Sequence, residues 1–212
     1  VIRINERRIL KAMAAFSGFV EEDYDEVFII LDKMDKIGLD GVREELIQKE
    51  YSEDVVSKYL DLFTQMEQSE NGFEHLVNQL GDCLEEYVVC RMREIRQCVE
   101  ATKSVDFRLE FDPTLVRGMS YYTGTIFEVS LPNFGGSCGG GGRYDQMIGN
   151  FTGKDTPACG FSLGFERIIL LLMESQFQIP NEEKKIAFLL EKNLSTDENQ
   201  EAMEEVRAVR ND

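Results

Sequence analysis

The 212-residue chain is 42% apolar and 10% aromatic, a globular composition long enough for one domain with a core or for one medium and one small unit. No apolar run approaches the roughly 18 residues of a membrane-spanning helix, and the first residues lack the basic-then-apolar layout of a secretory signal, so a soluble, cytoplasmic protein is expected. With 23 basic against 40 acidic residues the net charge is −17, a field that repels polyanions, so any contact with nucleic acid has to be local or lie elsewhere in the protein.

Val1-Ile2-Arg3-Ile4 reads as a short extended stretch, after which Asn5 can cap a helix carrying Ile9, Leu10, Met13 and Phe16, with Gly18 as its stop. From Tyr24 to Thr102 the pattern is helical and free of proline. Val27, Phe28, Leu31 and Met34 form one stripe ended by Gly38; Asp40 caps a short helix with Val42, Leu46 and Ile47; Ser52 caps another with Val55, Val56, Tyr59, Leu60 and Phe63. A long segment follows, with apolar residues from Phe73 to Val99 recurring at threes and fours. Helix-on-helix packing is the ordinary explanation, and residues 24–102 are expected to form a small, separate helical lobe. Cys83, Cys90 and Cys98 fit this pattern as small hydrophobes. Five cysteines without a C-x-x-C pair (Cys138 and Cys159 are the others) and a single histidine, His75, argue against a disulfide framework and against a metal site.

Near Thr102 the period changes from 3.6 to 2. Val105, Phe107, Leu109 and Phe111 alternate with Asp106, Arg108, Glu110 and Asp112, the pattern of a half-buried strand stopped by Pro113. Tyr121 to Leu131 reads as a second strand, and strands joined by short links pair antiparallel. Pro157 to Gly164 reads as one more strand, and Phe165 to Phe177 as a helix whose run Ile168 to Met173 predicts burial all round. Beyond Pro180 a strand from Ile186 to Leu190 and a helix capped by Ser195 with Glu198 open a further unit. The fold class expected is α+β, an antiparallel sheet over 103–180 with a helical lobe over 24–102.

Three segments place polar residues where packing would prefer apolar ones. In Leu115-Val116-Arg117-Gly118-Met119-Ser120-Tyr121-Tyr122 an arginine offers a planar fork for a carboxylate or phosphate beside an aromatic wall, although a salt bridge and packing tyrosines account for these residues equally well. Six glycines within the eight residues 135–142 precede Arg143-Tyr144-Asp145; they suit close approach of backbone to a ligand or to another strand, and they match neither phosphate-loop pattern. In Gly160-Phe161-Ser162-Leu163-Gly164-Phe165-Glu166-Arg167 an arginine sits in the first turn of a helix, where it does nothing for helix stability and suits an anionic ligand.

In this order and spacing the three segments resemble those of histidyl-tRNA synthetases. Leu115 to Glu128 is similar to the first histidine-specific motif of that family, Gly140 to Asp145 to the second, and Pro157 to Arg167 to motif 3 of class II synthetases. Lys33 to Gly38 with Val42 to Leu46 resembles the helical insertion of the bacterial enzymes. The resemblance implies the end of the first catalytic half over 1–23, the insertion over 24–102, the catalytic sheet over 103–180 and the start of an anticodon-binding domain over 181–212. It implies that Arg117 is catalytic, holding the histidine carboxylate and the ATP α-phosphate. Tyr121, Tyr122 and Tyr144 would line the imidazole pocket, and Arg167 would contact the triphosphate. ATP with Mg2+, histidine, tRNA(His) and a homodimer come with the family. Ser120 stands where an aspartate is common there. The family's motifs 1 and 2 would precede Val1, so residues 1–212 alone are expected to be inactive.

The regulatory subunit of ATP phosphoribosyltransferase, which shares that fold without the catalysis, is the first rival reading, and an interaction module built on the helices is the second. Intact Leu115-Val116-Arg117-Gly118 and Glu166-Arg167 favour the synthetase, since a regulatory protein has no need of both arginines.

Overall fold

The computed structural model describes residues 1–117, 121–131, 136–154, 156–177, 188, 190 and 195–211. The chain divides into two compact units, Val1–Leu171 and Leu172–Asp212. Among the described residues no helix is long and apolar enough to cross a membrane.

The first unit opens on strand β1 (Ile2–Glu6), which runs directly into helix α1 (Arg7–Ser17). The helix cap is Glu6, not Asn5: the Glu6 carboxylate accepts from the Arg8 N–H at 3.3 Å. Asn5 stays in the strand, buried, where its amide donates to the Leu115 carbonyl at 3.1 Å. Gly18 stops α1 as expected, at φ 107°, a left-handed conformation that only glycine adopts without strain.

Helices α2 (Tyr24–Leu31), α3 (Met34–Gln48), α4 (Glu53–Glu67), α5 (Gly72–Leu80) and α6 (Glu86–Thr102) follow. Gly38 breaks the path of α3 at φ 68°, and the Ser52 hydroxyl caps α4 by accepting from the Val55 N–H at 3.4 Å. The apolar stripes meet in one core: Leu10 and Met13 of α1 are buried with Phe28, Leu46, Tyr59, Phe63, Leu76 and Met92, and Ile4 of β1 belongs to the same cluster. The helices over 24–102 thus share one core with α1.

Strands β2 (Leu109–Phe111), β3 (Thr125–Ser130), β4 (Ser137–Arg143) and β5 (Cys159–Leu163) join β1 in one five-stranded sheet ordered β2-β1-β3-β4-β5. Helix α7 (Asp145–Thr152) lies between β4 and β5 in sequence. β1 pairs with β2 in parallel, whereas the β1–β3, β3–β4 and β4–β5 pairs are antiparallel. The α+β class holds, with two corrections to the expected sheet. It is mixed, and β1 from the first residues stands between β2 and β3, which were expected to pair with each other. A parallel pair needs a long crossover, and the helices from Arg7 to Thr102 supply it. The strand expected from Val105 shrinks to Leu109–Phe111, with Val105 68% exposed.

The register sorts the residues between two faces. Arg3, Glu128 and Gly140 stand in one row across β1, β3 and β4, and Asn5, Ile126, Gly142 and Gly160 in the next. Ile2, Ile4, Leu109, Phe127 and Phe161 point the other way by alternation, and Ile95 and Val99 of α6 line a groove with the first four of them. Helix α8 (Phe165–Glu174) is shorter than the expected Phe165–Phe177 and is not buried: Phe165 is 73% and Met173 71% exposed. Apolarity all round shows that a helix favours cover, and among the described residues α8 has little.

In the second unit, helix α9 (Thr196–Asn211) carries the expected capping box: the Ser195 hydroxyl accepts from the Glu198 N–H at 3.3 Å, and the Glu198 carboxylate accepts from the Ser195 N–H at 2.8 Å. The strand expected at Ile186–Leu190 falls for the most part outside the described residues.

Candidate active site

The glycine strand β4 is the floor on which the site is built. A Cβ on Gly140 would come within 2.8 Å of Arg117 Cζ, one on Gly142 within 2.9 Å of Tyr122 Cδ1, and one on Gly160 of β5 within 2.3 Å of the Tyr144 hydroxyl. Gly140, Gly142 and Gly160 share a face of the sheet, so Arg117, Tyr122 and Tyr144 lie over one surface. The glycines thus leave room for side chains, a use their clustering had not suggested, and at Gly141, where a Cβ would fall 2.0 Å from the Gly160 carbonyl oxygen, for the neighbouring strand.

Arg117 is gripped along one edge. Its Nε donates to Glu128 Oε2 at 2.7 Å and its Nη2 to the Ser137 hydroxyl at 2.7 Å; that hydroxyl in turn donates to the Gly139 carbonyl at 2.9 Å. Arg167, in the first turn of α8, donates from Nη1 to the backbone carbonyl of the same Ser137. The two arginines, fifty residues apart in sequence, therefore meet at one residue.

The Tyr122 ring lies 4.3 Å between centroids from that of Tyr121, tilted by 51°, and 6.2 Å from that of Tyr144. Burial first, then the hydrogen bond with Tyr121, pushes the Tyr122 phenol up to about 12, so it remains a neutral hydrogen-bonding group at physiological pH. Tyr121 is the outer member of the pair, 42% exposed. Tyr144 is fixed by its neighbour in sequence: the Asp145 carboxylate accepts from Arg143 Nε at 2.8 Å and from the Ala158 N–H at 2.9 Å, tying the end of β4 to the start of β5.

Arg117 also lines a cavity of about 410 Å3, together with Arg3, Asp32, Asp35, Glu128 and Ser137. Tyr122, Tyr144 and Arg167 are not among the residues that line this cavity. Gly118, Met119 and Ser120, and with them the substitution noted at Ser120, lie outside those residues.

Sequence reasoning overlooked Glu128 and Arg3. The Glu128 carboxylate, 11% exposed, accepts from Arg117 on Oε2 and from Arg3 Nη2 on Oε1. Arg3 Nη1 further donates to Asp112 at 3.0 Å and to Asp35 at 3.2 Å. Burial alone would raise the Glu128 carboxyl, but the hydrogen bonds from the two guanidiniums outweigh it and hold the group below its ordinary range. The signal was present: both residues alternate with apolar neighbours on half-buried strands.

The profile of the histidyl-tRNA synthetase family matches residues 1–168. The histidine–tRNA ligase of Leifsonia xyli subsp. xyli is 42% identical over 176 residues, covering 81% of this chain and 40% of that protein. That of Korarchaeum cryptofilum is 36% identical over 175 residues, covering 79% and 38%. The chain thus spans about two fifths of the length of these relatives. Among solved structures, the histidyl-tRNA synthetase of Nostoc sp. PCC 7120 superposes with a TM-score of 0.70 at 27% identity, over 84% of this chain and 43% of that one. A Bacillus halodurans protein described as an ATP phosphoribosyltransferase regulatory subunit/histidyl-tRNA synthetase superposes at 0.66 over 81% of this chain and 44% of that one; at 22% identity it speaks to the fold alone. On the family match and these identities together, the chain belongs to the histidyl-tRNA synthetase family.

Proposed function

We propose that this chain carries part of the catalytic body of a histidine–tRNA ligase, which joins histidine and ATP into histidyl-adenylate with release of pyrophosphate and then acylates tRNA(His). The observation that supports this reading above the others is the meeting of Arg117 and Arg167 at Ser137 beside the Tyr122 and Tyr144 rings. Arg117 binds the histidine carboxylate and the α-phosphate, and offsets the charge that builds as the carboxylate attacks phosphorus. Arg167 holds the triphosphate, which arrives with Mg2+ as part of the substrate. Tyr121, Tyr122 and Tyr144 line the space for the imidazole and exchange hydrogen bonds with its nitrogens.

By the same reading, residues 24–102 correspond to the family's insertion, 181–212 to the start of its anticodon-binding part, and the working protein is a cytoplasmic homodimer. The net charge of −17 gives no long-range attraction to tRNA, so recognition rests on local contacts.

Histidine-dependent ATP–pyrophosphate exchange tests the reading on residues 1–212 and on a version extended upstream along the gene. Exchange is expected only in the longer protein, because each charge-assisted contact missing from the transition state costs roughly 2.7–4 kcal/mol. Arg117→Ala in the longer protein should reduce exchange about a hundred- to a thousandfold. Strong turnover by 1–212 alone, or an active Arg117→Ala variant, would show that the catalytic groups have been misassigned.

A further inference from the structure

The Arg117 guanidinium has five N–H donors, and the structure shows which of them are engaged. Nε and Nη2 are taken by Glu128 and the Ser137 hydroxyl, while among the described residues Nη1, over Gly140, engages no acceptor. The orientation of that remaining edge is set from behind. Glu128 is nearly buried and divides its two oxygens between two arginines, Oε2 to Arg117 and Oε1 to Arg3. Arg3 is itself held by Asp112 beyond the end of β2 and by Asp35 of α3.

We propose that Glu128 is a positioning residue for Arg117, that Arg3 holds Glu128 in place, and that this relay fixes which edge of the Arg117 guanidinium faces the substrate. The inference rests on the ligase reading for its substrate and on the structure for its geometry. An arginine side chain has several rotatable bonds, and freezing it before substrate arrives removes an ordering cost from the reaction. A carboxylate shared by two guanidiniums also keeps two like charges apart and satisfied, which neither arginine could do for the other. Ser137 completes the arrangement from the far side and, through its carbonyl, sets Arg167 against the same point. The relay begins at Asp35, so the placement of α3 relative to the sheet bears on the aim of Arg117.

The test uses the full-length protein that carries this chain. Glu128→Gln keeps the shape and one acceptor but removes the charge, and should reduce kcat for ATP–pyrophosphate exchange roughly ten- to a hundredfold, the scale of a misplaced catalytic group. Arg3→Met should give a smaller loss in the same direction. In an Arg117→Lys background, which lacks the edge that Glu128 grips, Glu128→Gln should cost less than about threefold further, since residues acting through one another are not additive. Equal losses in both backgrounds would mean a structural role and overturn the proposal. A crystal structure of Glu128→Gln provides a readout independent of activity: Arg117 is expected to leave Ser137, and an unmoved guanidinium counts against positioning. A wild-type protein without exchange would sink the ligase reading instead, and the displacement of Arg117 would still decide this one.

Discussion

Arg117 lies so close over Gly140 that a single methyl group on the glycine would reach 2.8 Å from both its Cζ and the Phe127 carbonyl oxygen. The guanidinium could swing away, but the β3 backbone cannot. Gly140→Ala should therefore shift the strand as well as the arginine, costing about 1–3 kcal/mol of stability as overpacking does. Activity of the full-length protein should fall about a hundredfold. Urea denaturation and pyrophosphate exchange on one preparation measure both, and an alanine variant with native activity would contradict the close packing.

Glu128 gives the site an acid limit. Its folded-state carboxyl is held below 4.5, so the stability it contributes is present above the unfolded value and is lost as pH falls through the folded one. Wild type should exceed Glu128→Gln in urea midpoint at pH 7, and the gap should narrow once pH drops below about 4.5. A gap that stays constant to pH 3 would mean the carboxylate is not stabilised by Arg3 and Arg117.

Gly18 closes α1 at φ 107°, and a Cβ there would meet Val55 Cγ2 at 3.3 Å. Gly18→Ala combines left-handed strain with that contact and should cost about 1–2 kcal/mol or somewhat more. Substitution at Gly153, which ends α7 in the same left-handed region at φ 70° with open space around it, should carry the strain alone. Equal losses at the two sites would show that Val55 yields freely.

Tyr59 is fully buried between Phe19 and Phe63, and its hydroxyl finds no partner among the described residues. Burial pushes the phenol far up, so the cost lies in the desolvated O–H, not in a charge. Tyr59→Phe keeps the ring contacts and should raise stability by about 1 kcal/mol, seen as a higher melting temperature. A lower one would reveal a hydrogen bond at that hydroxyl.

What could be read in advance was local. Gly18, Ser52 and the Ser195–Glu198 box act within four residues of themselves, and each stands where its chemistry indicated. The arginine and tyrosine segments were recognisable because spacing along the chain preserves a family's pattern. Pairing was not legible: nothing in Val1-Ile2-Arg3-Ile4 says that it lies between two strands drawn from beyond residue 105. For the same reason Arg3 and Glu128 escaped notice, since their relation exists only once those strands are side by side. Asn5 was read as the cap because its type favours caps, yet its burial in the sheet left that task to Glu6. The apolar run of α8 states what the helix favours, not what covers it.

The place of β1 in the sheet also governs the order of events during synthesis. Its partners Leu109 and Val129 lie more than a hundred residues further along, so β1 stays unpaired until those segments have emerged. At about 5–20 residues per second, a ribosome leaves β1 without a strand neighbour for several seconds at least. Meanwhile α1 and the helices after it can assemble their shared core from contacts closer in sequence, which form faster. The nascent chain is thus expected to hold a folded helical cluster with one dangling, apolar edge, and that edge is where a chaperone would bind or where two unfinished chains would stick together.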